Sequence, residues 1–148
     1  MHSEKKLTPH SEENSLPDLI TPIDVMFFDT DVGGGIHNLA YLRFIETART
    51  LLAVKRGMDW KKFKAMNRAP VVAHIEIDYL RSATFGEPIE VHSWIGEVTR
   101  ARFRCHFKIL RSSDKTLLVT CKQMLAFVDM TSGKPQRLPE GFPASSSP

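Results

Sequence analysis

Cysteine is scarce in this chain. Cys105 and Cys121 are the only two, and neither sits at a spacing that suits a metal. Each falls at an apolar-phase position of a predicted strand, so both are expected as buried free thiols. A disulfide would need an oxidising compartment that nothing else in the sequence suggests. Long hydrophobic runs are missing too. None approaches the roughly 18 apolar residues of a membrane helix, and the first residues lack the apolar core of a secretory signal. Membrane insertion is not expected, and the cytoplasm is the expected location. No internal repeat, P-loop, dinucleotide-binding fingerprint or Ser-His-Asp signature is present. The row His74, Glu76, Asp78 has no His or Cys partner at ligand spacing, so neither a metal nor a cofactor is expected.

What remains is an ordinary globular composition, 42% apolar and 25% charged over 148 residues. That is enough for one domain with a substantial core. The net charge of +3 is unevenly spread: residues 1–22 carry two lysines against four carboxylates, a net of −2, which leaves +5 for the rest. Five cations, Arg100, Arg102, Arg104, Lys108 and Arg111, fall in one short window. This suits a small anionic ligand. A nucleic-acid reader would show a wider basic stripe with exposed aromatics, so nucleic acid is not the expected partner.

Residues 1–20 are polar and aperiodic and are expected as a disordered tail, as is 143–148; the domain is expected over 21–142. A strand over about 21–28 runs into Asp29-Thr30-Asp31 and then Gly33-Gly34-Gly35. A helix over about 39–56 follows, with Tyr41, Phe44, Ile45, Ala48, Leu51 and Leu52 as one apolar stripe and Arg43, Glu46, Arg49 and Thr50 left to water. A short second helix is expected near 59–66. From residue 70 the period changes to two. Strands are expected from 70 to 79, over 89–98 with a possible bulge at Gly96, from about 100 to 111, and over 116–128. In the third of these, Ala101, Phe103, Cys105, Phe107 and Ile109 alternate with Arg100, Arg102, Arg104, His106 and Lys108. His92 and His106 are expected on solvated faces. One long helix must then cover one face of an antiparallel sheet, which is an α+β fold. Homo-oligomerisation is a reasonable way to cover or extend the rest.

The chemistry concentrates where the first strand ends. A carboxylate at Asp31 can attack an acyl carbon or take a proton from water. The glycines permit close backbone approach, and the helix start beyond them offers unpaired N–H donors at the positive end of the dipole. Asp29 and Asp31 can equally be turn residues, and Asn38 can equally be the helix N-cap. His37 could supply a proton or simply be solvated. Arg100, Arg102 and Arg104 share one strand face, suited either to phosphate contact or to solvent.

The order Phe28-Asp29-Thr30-Asp31, a Gly-rich segment and Tyr41-Leu42-Arg43-Phe44, with Glu46 and Arg49 beyond, resembles the hotdog-fold acyl-CoA thioesterases of the 4-hydroxybenzoyl-CoA thioesterase type. Tyr41 stands ten residues past Asp31, as is typical there. Ile77-Asp78-Tyr79-Leu80-Arg81, Thr99-Arg100-Ala101-Arg102-Phe103 and Gly133-Lys134-Pro135 extend the resemblance over roughly 21–142. It implies a long helix wrapped by a five-stranded antiparallel sheet, and homodimers or homotetramers with sites at the subunit contact. It implies Asp31 as nucleophile or general base, and the backbone N–H at Asn38 as the group that polarises the thioester carbonyl. Substrate or CoA contacts follow at Gly34, Gly35, Tyr41 and Arg81, with Arg100 and Arg102 placed for the CoA phosphates. Many bacterial relatives carry histidine where this chain has Asn38; here the pair is His37-Asn38. The alternative is a non-catalytic acyl-thioester binding module of the same fold.

Overall fold

The strand with the clearest alternation lies at the middle of the sheet. In the computed structural model, which describes residues 16–142, β4 (Arg102–Arg111) is flanked by β3 (Ile89–Val98) and β5 (Leu117–Asp129). The edges are β1 (Leu19–Ile23) beside β3 and β2 (Arg68–Tyr79) beside β5. All neighbours are antiparallel. A two-residue strand, β6 (Pro135–Gln136), pairs with the end of β5 and makes six strands where five are expected. The expected tails lie outside the described residues except for 16–20. There Asp18 N–H already donates to the Ser93 carbonyl at 2.8 Å, and strand pairing starts at Leu19.

The long helix, α1 (Asn38–Lys55), packs against β3 and β1. Phe44, Ile45, Ala48 and Leu52 are at most 1% exposed, and the first three share one core with Val91, Phe107, Ile109 and Val119. Each such large side chain contributes roughly 1.5–3 kcal/mol. Leu51 departs from the expected stripe. It is 44% exposed, because Leu52 continues the i, i+4 row from Ala48 and turns Leu51 outward. The second helix, α2 (Trp60–Met66), is capped by Asp59, whose carboxylate accepts Lys62 N–H at 2.9 Å. No helix among the described residues is long and apolar enough to cross a membrane.

Three expectations need correction. The apolar run Val25–Phe28 does not continue β1. Phe27–Asp29 is a 3-10 turn, closed by Asp29 N–H on the Met26 carbonyl and by the Asp29 carboxylate on Met26 N–H. His106 is not solvated: it is 3% exposed and stacks on Trp94 at 5.4 Å, and burial lowers its pKa. Gly96 makes room for it, since a Cβ there would lie 2.4 Å from Nε2. The bulge expected at Gly96 is present as a register shift between Ile95 and Val98. His92 is likewise engaged, 2.6 Å from Glu90.

The two cysteines are free and buried, and burial pushes both thiols up to about 12. They are inert as nucleophiles near neutral pH. On the edge strand β2, Val71, Ile75 and Tyr79 remain 40–44% exposed.

Candidate active site

Asp31 sits on a small hairpin. Thr30 bridges Ile36, and Asp31 N–H donates to the Gly35 carbonyl at 2.9 Å. Gly34 N–H returns to the Asp31 carbonyl at 2.9 Å, and Gly34 takes φ +85°. A tight turn followed by a left-handed residue is the usual three-residue hairpin, and that position favours glycine. Of the three glycines, only Gly34 adopts the left-handed conformation. The Asp31 side chain folds over the turn, Oδ1 accepting Gly33 N–H at 3.0 Å. Asp31 is otherwise exposed at the tip, beside Val32.

The hairpin is moored on three sides. Ile36 N–H donates to the Ala83 carbonyl at 3.0 Å, and Phe85 N–H donates to the Gly34 carbonyl at 3.1 Å. His37 N–H donates to the Asp29 carbonyl at 3.0 Å. This brings Asp31 across from Gly35, three residues before Asn38, so the chain alone keeps Gly35 within about 11 Å of Asn38. Asn38 is the first residue of α1 rather than its cap. The cap is His37, with extended backbone and Nδ1 accepting Ala40 N–H at 3.2 Å. Accepting there leaves the proton on Nε2, the nitrogen free to face a substrate. It also leaves the N–H groups of Asn38 and Leu39 at the open first turn of the helix.

Other expected site residues divide. Tyr41 is 3% exposed, and its hydroxyl accepts Ala83 N–H at 3.2 Å. Burial raises its pKa, so it remains a neutral phenol. It supports the floor of the hairpin and does not reach a solvent-facing ligand. Arg81 lies two residues before Ala83, exposed and at the same end of the sheet. Arg100 and Arg102 lie at the opposite end. β4 runs from Arg102 to Arg111, nine steps or about 30 Å. It is Arg111 that is tied to the Asp31 end, through Glu87 at 3.3 Å and the Glu87 hydrogen bond to Thr84 N–H. One chain therefore does not bring Arg100 and Arg102 to Asp31.

The structure adds groups that periodicity did not single out. Tyr79 donates its hydroxyl to the Asn38 carbonyl at 3.1 Å and packs on the Tyr41 ring at 5.9 Å. Arg43, expected to face water, forms an ion pair with the buried Asp29. Phe27 and Phe85 meet edge to face at 6.2 Å beside the hairpin, both exposed. Separately, a cavity of about 320 Å³ lies between the last turns of α1, α2 and the sheet, lined among others by Met58, Phe63, Phe103 and Phe127. The filled core at Phe44, Ile45 and Ala48 separates it from Asp31 within one chain.

Residues 25–145 match the model of the thioesterase-like superfamily. The acyl-CoA thioesterase YbgC of Haemophilus influenzae is 29% identical over 125 residues, covering 84% of this chain and 90% of that protein. The acyl-CoA thioester hydrolase YbgC of Shigella flexneri is 26% identical over 123 residues, covering 83% and 91%. Among solved structures, a probable thioesterase from Bartonella henselae superposes with a TM-score of 0.74 at 28% identity, over 82% of this chain and 98% of that one. A 1,4-dihydroxy-2-naphthoyl-CoA thioesterase from Synechocystis gives the same TM-score at 20% identity, over 82% and 89%, which speaks to the fold alone.

Proposed function

The chain belongs to the thioesterase-like superfamily of hotdog-fold proteins, and from that premise we propose that it hydrolyses acyl-CoA thioesters at Asp31. The observation that carries this is an exposed carboxylate on a rigid hairpin directly before an open helix N-terminus. Asp31 either attacks the thioester carbonyl carbon or takes a proton from the water that does. Negative charge then grows on the carbonyl oxygen, and the N–H groups at Asn38 and Leu39 are the donors suited to hold it. Donors of this kind contribute about 2.7–4 kcal/mol each to the transition state. The C–S bond breaks and the thiolate leaves as CoA; in the general-base route it takes up the proton that Asp31 removed from water, and in the nucleophilic route water hydrolyses the acyl-Asp31 anhydride and supplies that proton, so that the free acid remains in both. His37 Nε2–H stands beside the same turn as a hydrogen-bond donor. Gly34 and Gly35 form the wall next to Asp31, and Arg81 is the nearest expected cation for the CoA moiety. Thiol release from aromatic, short-chain and long-chain acyl-CoAs tests this reading. Turnover of at least one class is expected. Tight CoA binding with no turnover across the panel contradicts it and supports a binding module.

The functional unit in this reading is a homo-oligomer. β2 is a 12-residue edge strand with no further strand beside it among the described residues and with Val71 and Ile75 40–43% exposed, and such edges are normally paired or protected. Pairing it with a second copy antiparallel would set the Arg68 end of one chain beside the Tyr79 end of the other. That supports a role for Arg100 and Arg102 toward CoA held at the partner's site. Solution mass should be that of two or four chains, and Ile75→Lys should lower it. A fully active wild-type monomer contradicts this arrangement.

A further inference from the structure

Asp29 takes no part in the reaction proposed above, yet every polar atom of its carboxylate is engaged. The residue is 1% exposed. Oδ2 accepts Met26 N–H at 2.8 Å, and Oδ1 receives the Arg43 guanidinium. Its backbone carbonyl accepts His37 N–H at 3.0 Å. One residue thus ties the entry of the Asp31 hairpin to its exit through the main chain, and to α1 through its side chain. Arg43 lies five residues past Asn38, one turn inside the helix. Its guanidinium also lies over the rings of Phe28 at 5.6 Å and Phe44 at 5.1 Å, in a side chain that is 49% exposed.

Acyl transfer at this site needs two elements in register: the carboxylate on the hairpin, and the N–H donors at the helix start. Only Ile36 and His37 join the hairpin to the helix, and rotation about that short join would move one element against the other. The Asp29–Arg43 pair spans the same join from the side. We infer that Asp29 and Arg43 are positioning residues, whose ion pair sets the place of the Asp31 carboxylate relative to the first turn of α1. This rests on the proposed hydrolysis at Asp31. Arginine suits the task because its planar fork fixes direction as well as charge, which a lysine ammonium does not.

The test is steady-state acyl-CoA hydrolysis by Arg43→Met and Arg43→Lys, measured well below each variant's melting temperature. Methionine keeps the apolar stem over Phe28 and Phe44, and lysine restores the charge. Arg43→Met should lower kcat about 10- to 100-fold, the scale of an ångström-sized misplacement, with KM changed less than about threefold. Arg43→Lys should recover part of that loss. A kcat within about twofold of wild type in folded Arg43→Met overturns the inference, as does a loss confined to KM. If Arg43→Met does not fold, Arg43→Gln keeps an N–H donor for Asp29 and is read by the same outcomes. Asp31→Asn in the same assay separates the two levels. Activity surviving there removes the underlying reading, whereas activity lost there but kept in Arg43→Met removes the positioning role alone.

Discussion

The turn around Asp29 and the hairpin tip around Asp31 are two residues apart and are built oppositely. Asp29 is buried, shared among Met26, His37 and Arg43, and is the last residue of a 3-10 turn. Asp31 is exposed, and among the described residues it is held by Gly33 N–H across a turn that needs a left-handed glycine. A carboxylate that must meet a substrate has to keep its oxygens available, whereas one that sets geometry has to spend them. The same residue type serves both ends because the surrounding donors differ.

Replacing each carboxylate with its amide should separate these roles most strongly in stability. Asp29→Asn retains one acceptor but loses the charge that Arg43 faces, and a cost of about 1–3 kcal/mol is expected. Asp31→Asn keeps its acceptor for Gly33 N–H and should stay within about 0.5 kcal/mol of wild type, as exposed substitutions do. Chemical denaturation of both variants reads this difference, and equal losses would break the comparison.

A smaller effect is expected in acid, at Glu90. Burial alone would raise the Glu90 carboxyl, but hydrogen bonds from His92, Lys115 and Ser112 outweigh it and hold the group at about 2. The folded chain therefore binds this proton less readily than the unfolded chain, whose ordinary value is 4.5. The contribution is complete above that value and is lost as pH falls toward 2. Melting temperature should fall more steeply between pH 4.5 and 2 in wild type than in Glu90→Gln. Identical slopes would place the acid sensitivity elsewhere.

The sequence made the framework legible wherever one periodicity ruled. The i, i+3, i+4 pattern from Tyr41 to Leu52 placed α1 within a residue at either end, and the alternation around Phe107 placed β4. A lone glycine inside a strand pattern pointed to the bulge at Gly96. What was not legible depends on contacts between segments. Val25–Phe28 reads as strand, yet a side-chain acceptor at Asp29 turns it. His106 reads as polar and outward, yet Trp94 and the vacancy above Gly96 bury it. Asp31, the Gly34 turn and the helix start could be read as one unit because they are contiguous. Arg43 could not, because its partner is 14 residues away and its helical phase points to water. Arg100 and Arg102 read as near the site because strand phase gives the face of a residue but not the end of the sheet.

The most direct test of the central claim is thiol release from a turned-over acyl-CoA by wild type and Asp31→Asn, prepared side by side with matched melting curves. In the variant kcat should fall about 10²- to 10⁴-fold, the range for loss of a positioned catalytic carboxylate. Near-wild-type turnover by a folded Asp31→Asn protein would contradict it.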